Sequence, residues 1–80
     1  MDKHLLGRIS IDPQVMVGKP VIRGTRIPVE LIVRMLAQGI PERDILREYP
    51  RLEPDDIRAA LAYAAQVLGH EDVFPLGTPA

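Results

Sequence analysis

With no cysteine among its 80 residues, this chain has neither a disulfide nor a thiolate-bound metal to brace it. A domain this short buries only roughly 60–65% of the surface its unfolded chain exposes, so packing alone must work with a thin core. Association with a second copy is the common remedy, and a homodimer is expected on that ground. The absence of cysteine also removes thiolate catalysis and fits a reducing compartment. Met1-Asp2-Lys3-His4 leads into only Leu5-Leu6 before Gly7, which carries no signal-peptide pattern, and no apolar run is long enough to span a bilayer. The expectation is a cytoplasmic protein with no membrane contact.

The net charge is −1 and by itself favours no class of partner. Its distribution is uneven. Residues 1–40 carry six basic and three acidic side chains, a local charge of +3, whereas residues 41–80 carry four basic and eight acidic, −4. Any anion-binding face belongs to the first half on this count. Ordinary surface charge, scattered unevenly, explains the same numbers.

Prolines and glycines divide the chain into short elements. Ile9-Ser10-Ile11 alternates apolar and polar before Asp12-Pro13, which predicts a short strand. A second apolar patch, Val15 to Val17, is closed by Gly18-Lys19-Pro20. In residues 21–28 two β-branched stretches flank Gly24, predicting a tight hairpin with the glycine at positive φ. Pro20 and Pro28 bracket it, and neither can donate to a ladder.

Beyond Pro28 the period lengthens. Val29, Ile32, Val33, Leu36 and Ala37 fall on one face of a helix that has Pro28 in its first turn and stops at Gly39. A second helix starts near Pro41, turns Ile45 and Leu46 inward and ends before Tyr49-Pro50, because the residue before a proline avoids helical geometry. A third begins at Pro54, with Asp55 and Asp56 at its positive end, and keeps helical spacing through Ile57, Ala60, Leu61, Ala64, Val67 and Leu68. The expected domain is residues 1–69, followed by a tail over 70–80. Its class is mainly α with a short N-terminal β-hairpin: three helices, helix-turn-helix-like or winged-helix-like.

Catalytic groups are scarce. His4 and His70 lie near opposite ends, and no base adjoins Ser10, Thr25, Tyr49, Tyr63 or Thr78 in an activating motif. Asp55-Asp56 suits a helix dipole better than a metal. Gly18-Lys19 lacks the second glycine and the following helix of a phosphate loop. No enzyme activity, catalytic residue, metal or cofactor is expected.

Lys19, Arg23 and Arg26 cluster around the predicted hairpin. Projecting together like a wing, they would clamp phosphates or read guanine edges, which makes them the candidate DNA-binding residues. The alternative is a surface pairing of these cations with acids such as Asp12 or Glu30. Thr25 either contacts a phosphate or closes its own turn. The third helix is a poor base reader, since carboxylates at its start repel phosphates. In the tail, Val73, Phe74 and Leu76 form an apolar cluster beside Glu71 and Asp72. Phe74 and Leu76 are candidate partner-binding residues, and folding back onto the domain is the competing role.

The run Gly18-Lys19-Pro20-Val21-Ile22-Arg23-Gly24-Thr25-Arg26-Ile27-Pro28-Val29, then Leu36-Ala37-Gln38-Gly39, Ile45-Leu46, Tyr49-Pro50 and Asp56-Ile57-Arg58-Ala59-Ala60-Leu61-Ala62-Tyr63-Ala64, closely resembles the bacterial domain-of-unknown-function family 433. The resemblance covers roughly residues 9–65. It implies a helix-turn-helix-like or winged-helix-like fold and a role similar to VapB-type antitoxins, partnered with a PIN-like ribonuclease toxin. Pro41 and Glu53 stand where the family commonly has Ser or Thr, forgoing side-chain caps worth about 1 kcal/mol each. The family supplies no catalytic residues. Two functions follow as expectations: an antitoxin that binds its toxin and its promoter DNA, or a protein-interaction module with no DNA role. A subunit that supports another chain's chemistry is a third.

Overall fold

The computed structural model describes residues 3–69. In chain order these form α1 (Lys3–Leu6), β1 (Ile9–Ser10), β2 (Val21–Ile22), α2 (Val29–Ala37), α3 (Glu42–Glu48) and α4 (Pro54–Gly69). The architecture is mainly helical, with one two-stranded antiparallel sheet among the described residues. The three helices read from periodicity are α2, α3 and α4. α1 is an addition: Lys3-His4-Leu5-Leu6 is too short to show a period, and it forms against α4. The expected tail, with Phe74 and Leu76, lies outside the described residues.

The sheet departs from expectation. β2 pairs with β1, Ile9 opposite Ile22 and Ser10 opposite Val21, rather than mainly with the segment after Gly24. Gly24 does take a φ of 81°, and Ile22 N–H donates to the Ile27 carbonyl at 3.0 Å. The returning arm then makes a single isolated bridge, Val21 with Pro28. That bridge is flanked by the Ile22 N–H to Ile27 carbonyl bond and by the Val29 N–H to Pro20 carbonyl bond at 2.9 Å, while the Arg23 N–H donates to the Arg8 carbonyl at 2.7 Å on the β1 side.

Between the strands the chain turns through Met16, Val17 and Gly18, with φ of 52°, 56° and 80°. Glycine accepts this region freely, but a β-branched valine there costs about 1–2 kcal/mol. The turn is braced from Asp12, whose carboxylate accepts the Gln14 N–H and whose carbonyl accepts the Val15 N–H, both at 2.9 Å. Val17 nevertheless stands 93% exposed.

Helix ends follow local chemistry. Pro28 sits just before α2 in extended geometry (φ −69°, ψ 144°), one residue earlier than expected. At the other end Gly39 has φ 84°, Ile40 N–H donates to the Met35 carbonyl at 3.1 Å, and Gly39 N–H donates to Leu36 at 3.0 Å. Those two bonds satisfy the last carbonyls in a Schellman motif. α3 follows Pro41, which offers no side-chain cap.

The core gathers Ile22, Ile32, Ile45 and Ile57, with Ile9, Val29, Met35, Leu52, Ala59 and Ala60 around them. Ala59 and Ala60 are fully buried and allow close packing against α4. The apolar stripe of α4 is covered only in its first half. Leu61 and Leu68 stand 47% and 64% exposed, on the same outer face of the helix as exposed Arg58 and Ala65. Replacing fully buried Ile32 by Ala is therefore expected to cost about 2–5 kcal/mol in urea unfolding, against less than about 1 kcal/mol for Leu61→Ala.

Candidate functional site

Lys19, Arg23 and Arg26 are not brought together into one basic wing. Lys19 turns towards α2 and pairs with Glu30 at 2.8 Å. Arg23 turns the other way, donating from Nε to the Gly7 carbonyl at 2.8 Å and from its terminal nitrogen to the Ile9 carbonyl at 3.0 Å. It thereby holds the chain between α1 and β1, a structural use that the sequence reading did not anticipate. Arg26 keeps an exposed guanidinium with no ion pair among the described residues. Thr25 closes its own turn: its hydroxyl donates to the Ile22 carbonyl at 2.7 Å and accepts the Ile27 N–H at 3.0 Å.

Two arginines missed from the sequence organise this end of the molecule. Arg51, in the connector between α3 and α4, donates to the Gly24 carbonyl at 2.6 Å and so joins Arg26 beside a polar depression that Ser10, Asp12 and Thr25 also line. Arg8 lies among three carboxylates: Asp56 and Glu53 at 3.0 Å and Asp55 at 3.8 Å. The hydrogen bonds it donates to Asp56, then Glu53, hold its guanidinium even more firmly protonated than usual. Asp56 is buried, and its other oxygen accepts the Glu53 N–H at 2.8 Å. That bond caps α4 from within its first turn, so the missing Ser or Thr at position 53 is replaced by a carboxylate three residues on. The pattern Glu53-Pro54-Asp55-Asp56 carried that signal, but nothing local in sequence pointed to Arg8.

Among the described residues no three of His, Cys, Asp or Glu are grouped so as to hold a metal ion. No described helix is long and apolar enough to cross a membrane. A second concavity is apolar. α2 and the end of α4 wall a groove of about 400 Å³, lined by Val29, Val33, Ala37, Ala64 and Val67 and entered past Lys19 and Pro20. Leu68 lines it at the end of α4, and exposed Leu61 lies outside it.

Two measurements follow from the polar contacts. Asp56→Ala removes both the cap and the partner of Arg8 and should destabilise by about 1–2 kcal/mol in urea unfolding. Asp56→Asn retains an acceptor for the Glu53 N–H and should lose less. The Glu30 carboxyl is held below its ordinary 4.5, first by the hydrogen bond from Lys19, then by attraction to Lys19 and Arg34. Its folded value is lowered, so its contribution to stability is present above 4.5 and fades as pH falls below that point. Urea midpoints of the wild type and Glu30→Gln, compared across that range, should converge on acidification.

The chain matches the family model described as "Protein of unknown function (DUF433)" over residues 9–64. It is 36% identical over 56 residues to the uncharacterized protein y4eO of Sinorhizobium fredii, covering 70% of this chain and 25% of that protein. It is 64% identical over 28 residues to an uncharacterized protein of Archaeoglobus fulgidus, covering 35% of this chain and 78% of that one. Its fold is similar to the crystal structure of a DUF433 member from Anabaena variabilis, with a TM-score of 0.74 at 39% identity, over 84% of this chain and 66% of that chain. This chain thus spans a quarter of the Sinorhizobium relative and somewhat less than two thirds of the Anabaena one. On the match across residues 9–64, the chain belongs to the DUF433 family.

Proposed function

We propose that this chain is an antitoxin-like domain that works in the cytoplasm by binding a partner protein, not by catalysis, and that the end of α4 is the surface it uses. The observation that carries the reading is the exposure of Leu61 and Leu68, two turns apart on one face of α4. Large apolar side chains left in water beside one another mark contact surfaces more often than scattered exposure does. The partner implied by the family resemblance is a PIN-like ribonuclease toxin. Phe74 and Leu76, the partner-binding candidates of the tail, lie outside the described residues.

Promoter binding is the weaker half of the antitoxin reading. Two of its three cations already serve contacts within the chain, and Arg26 with Arg51 is what supports it. α3 and α4, joined by a short connector, favour a helix-turn-helix-like description, and the sheet with the Gly24 turn a winged-helix-like one. The first turn of α4, however, spends its carboxylates on Arg8 and offers bases no cation. An interaction module with no DNA role accounts for the same geometry.

Added to a PIN-like ribonuclease encoded beside its gene, the purified chain is expected to suppress RNA cleavage. Leu61→Asp should weaken that binding at least about tenfold with an unchanged melting temperature. Full cleavage in the presence of the wild-type chain would overturn the toxin reading, and full potency of the variant would remove α4 from it.

A further inference from the structure

The groove between α2 and α4 and the left-handed turn at Met16–Gly18 are neighbours, since Lys19 and Pro20 form the mouth of the one and follow directly on the other. The groove is concave and apolar. The turn is convex, and its tip is a strained, almost fully exposed valine with a partly exposed methionine beside it. We propose that the two are halves of one self-complementary surface: Val17 and Met16 of each protomer enter the groove of a second copy, closing a homodimer.

Chemistry matches on both sides. Val17 presents a compact branched tip to a groove walled by Val33, Ala37, Ala64 and Val67. The flexible thioether of Met16 fills the space that a valine leaves. The charged borders are also complementary. On the groove rim Lys19 and Arg34 share the single carboxylate of Glu30, each at 2.8 Å, so the rim is left with an excess positive charge. Asp12, at the base of the turn, is exposed and forms no ion pair among the described residues. Reciprocal docking brings Asp12 of each protomer to the Arg34 side of the other's groove.

Geometry favours closure at two copies. A knob and a hole placed far apart on one chain link molecules head to tail without end. Placed side by side they are exchanged about a twofold axis, and both contacts form in the same dimer. Strain at Val17 fits the same account, because a conformation unfavourable within the monomer persists where the side chain it presents has a use. Leu68 lines the groove and Leu61 does not, so Leu61 is the residue that tells this contact from the partner surface proposed for α4.

Sedimentation of the full chain over a dilution series tests the proposal. The wild type is expected to be dimeric at tens of micromolar. Val17→Gly should raise the dissociation constant at least about tenfold. Measured at a dilution where both are monomeric, its melting temperature should equal or exceed that of wild type, since glycine adopts the same φ without strain. Ala37→Arg, which blocks the hole and leaves the knob, should also be monomeric. Mixing it with Val17→Gly restores one intact contact, so the mixture should associate more tightly than either variant alone. Leu61→Asp should leave the dimer unchanged, which separates this contact from toxin binding. A wild type that stays monomeric up to about 100 μM, or a Val17→Gly dimer as tight as wild type, overturns the proposal.

Discussion

The guanidinium of Arg8 reaches a carboxylate 48 positions further along the chain, and the contact settles two problems at once. It neutralises a buried Asp56 that would otherwise be costly to keep charged, and it fastens the segment between α1 and β1 to the start of α4. Asp56 in turn closes the first turn of α4 through the Glu53 N–H. Strand β1 is thereby held where Ile9 meets Ile22, and Ile22 sits over the same core as Ile32 and Ile57. Arg23 reinforces the arrangement from the other strand by tying down the Gly7 and Ile9 carbonyls. A thin core is therefore supplemented by cations that bond the backbone and buried acids, in a chain with no covalent bridge.

The parts legible in sequence were those decided within a few residues. The ends of α2 and α3 follow from Gly39 and from Tyr49-Pro50, whose backbone preferences leave little choice. The turn at Gly24 was legible for the same reason. The pairing of β2 with β1 was not, because a strand has two edges and local sequence shows only the neighbour that a tight turn brings back. Arg8 and Arg51 were invisible too. Their partners lie on other elements, and an arginine near a glycine looks the same in sequence whether it faces solvent or a distant carbonyl.

Residue type also misled where burial was concerned. The stripe from Ile57 to Leu68 has uniform helical spacing, but periodicity reports which side of a helix is apolar and not how far its neighbours extend. In this fold the elements packed on α4 bury Ile57, Ala59 and Ala60 and leave Leu61, Val67 and Leu68 exposed. The basic cluster shows the converse. Lys19, Arg23 and Arg26 are close in sequence, but the left-handed turn before Lys19 and the positive φ of Gly24 send them to different sides of the sheet region. Charge that looked concentrated along the chain is dispersed in space, and two of the three groups are occupied in holding the fold.

The long reach of the Arg8 clamp has a kinetic consequence. Helices α2, α3 and α4 adjoin one another in sequence and can assemble through short loops, whereas Arg8 must close one of 48 positions before it meets Asp56. The N-terminal segment is thus the natural last piece to dock and the first to detach, a separate cooperative unit within a very small domain. When it lifts away, Ile22 and the buried start of α4 meet water while the helices remain packed on one another. Amide protons at the β1–β2 ladder should then exchange through this partial opening, and those in the middle of α2 only through global unfolding.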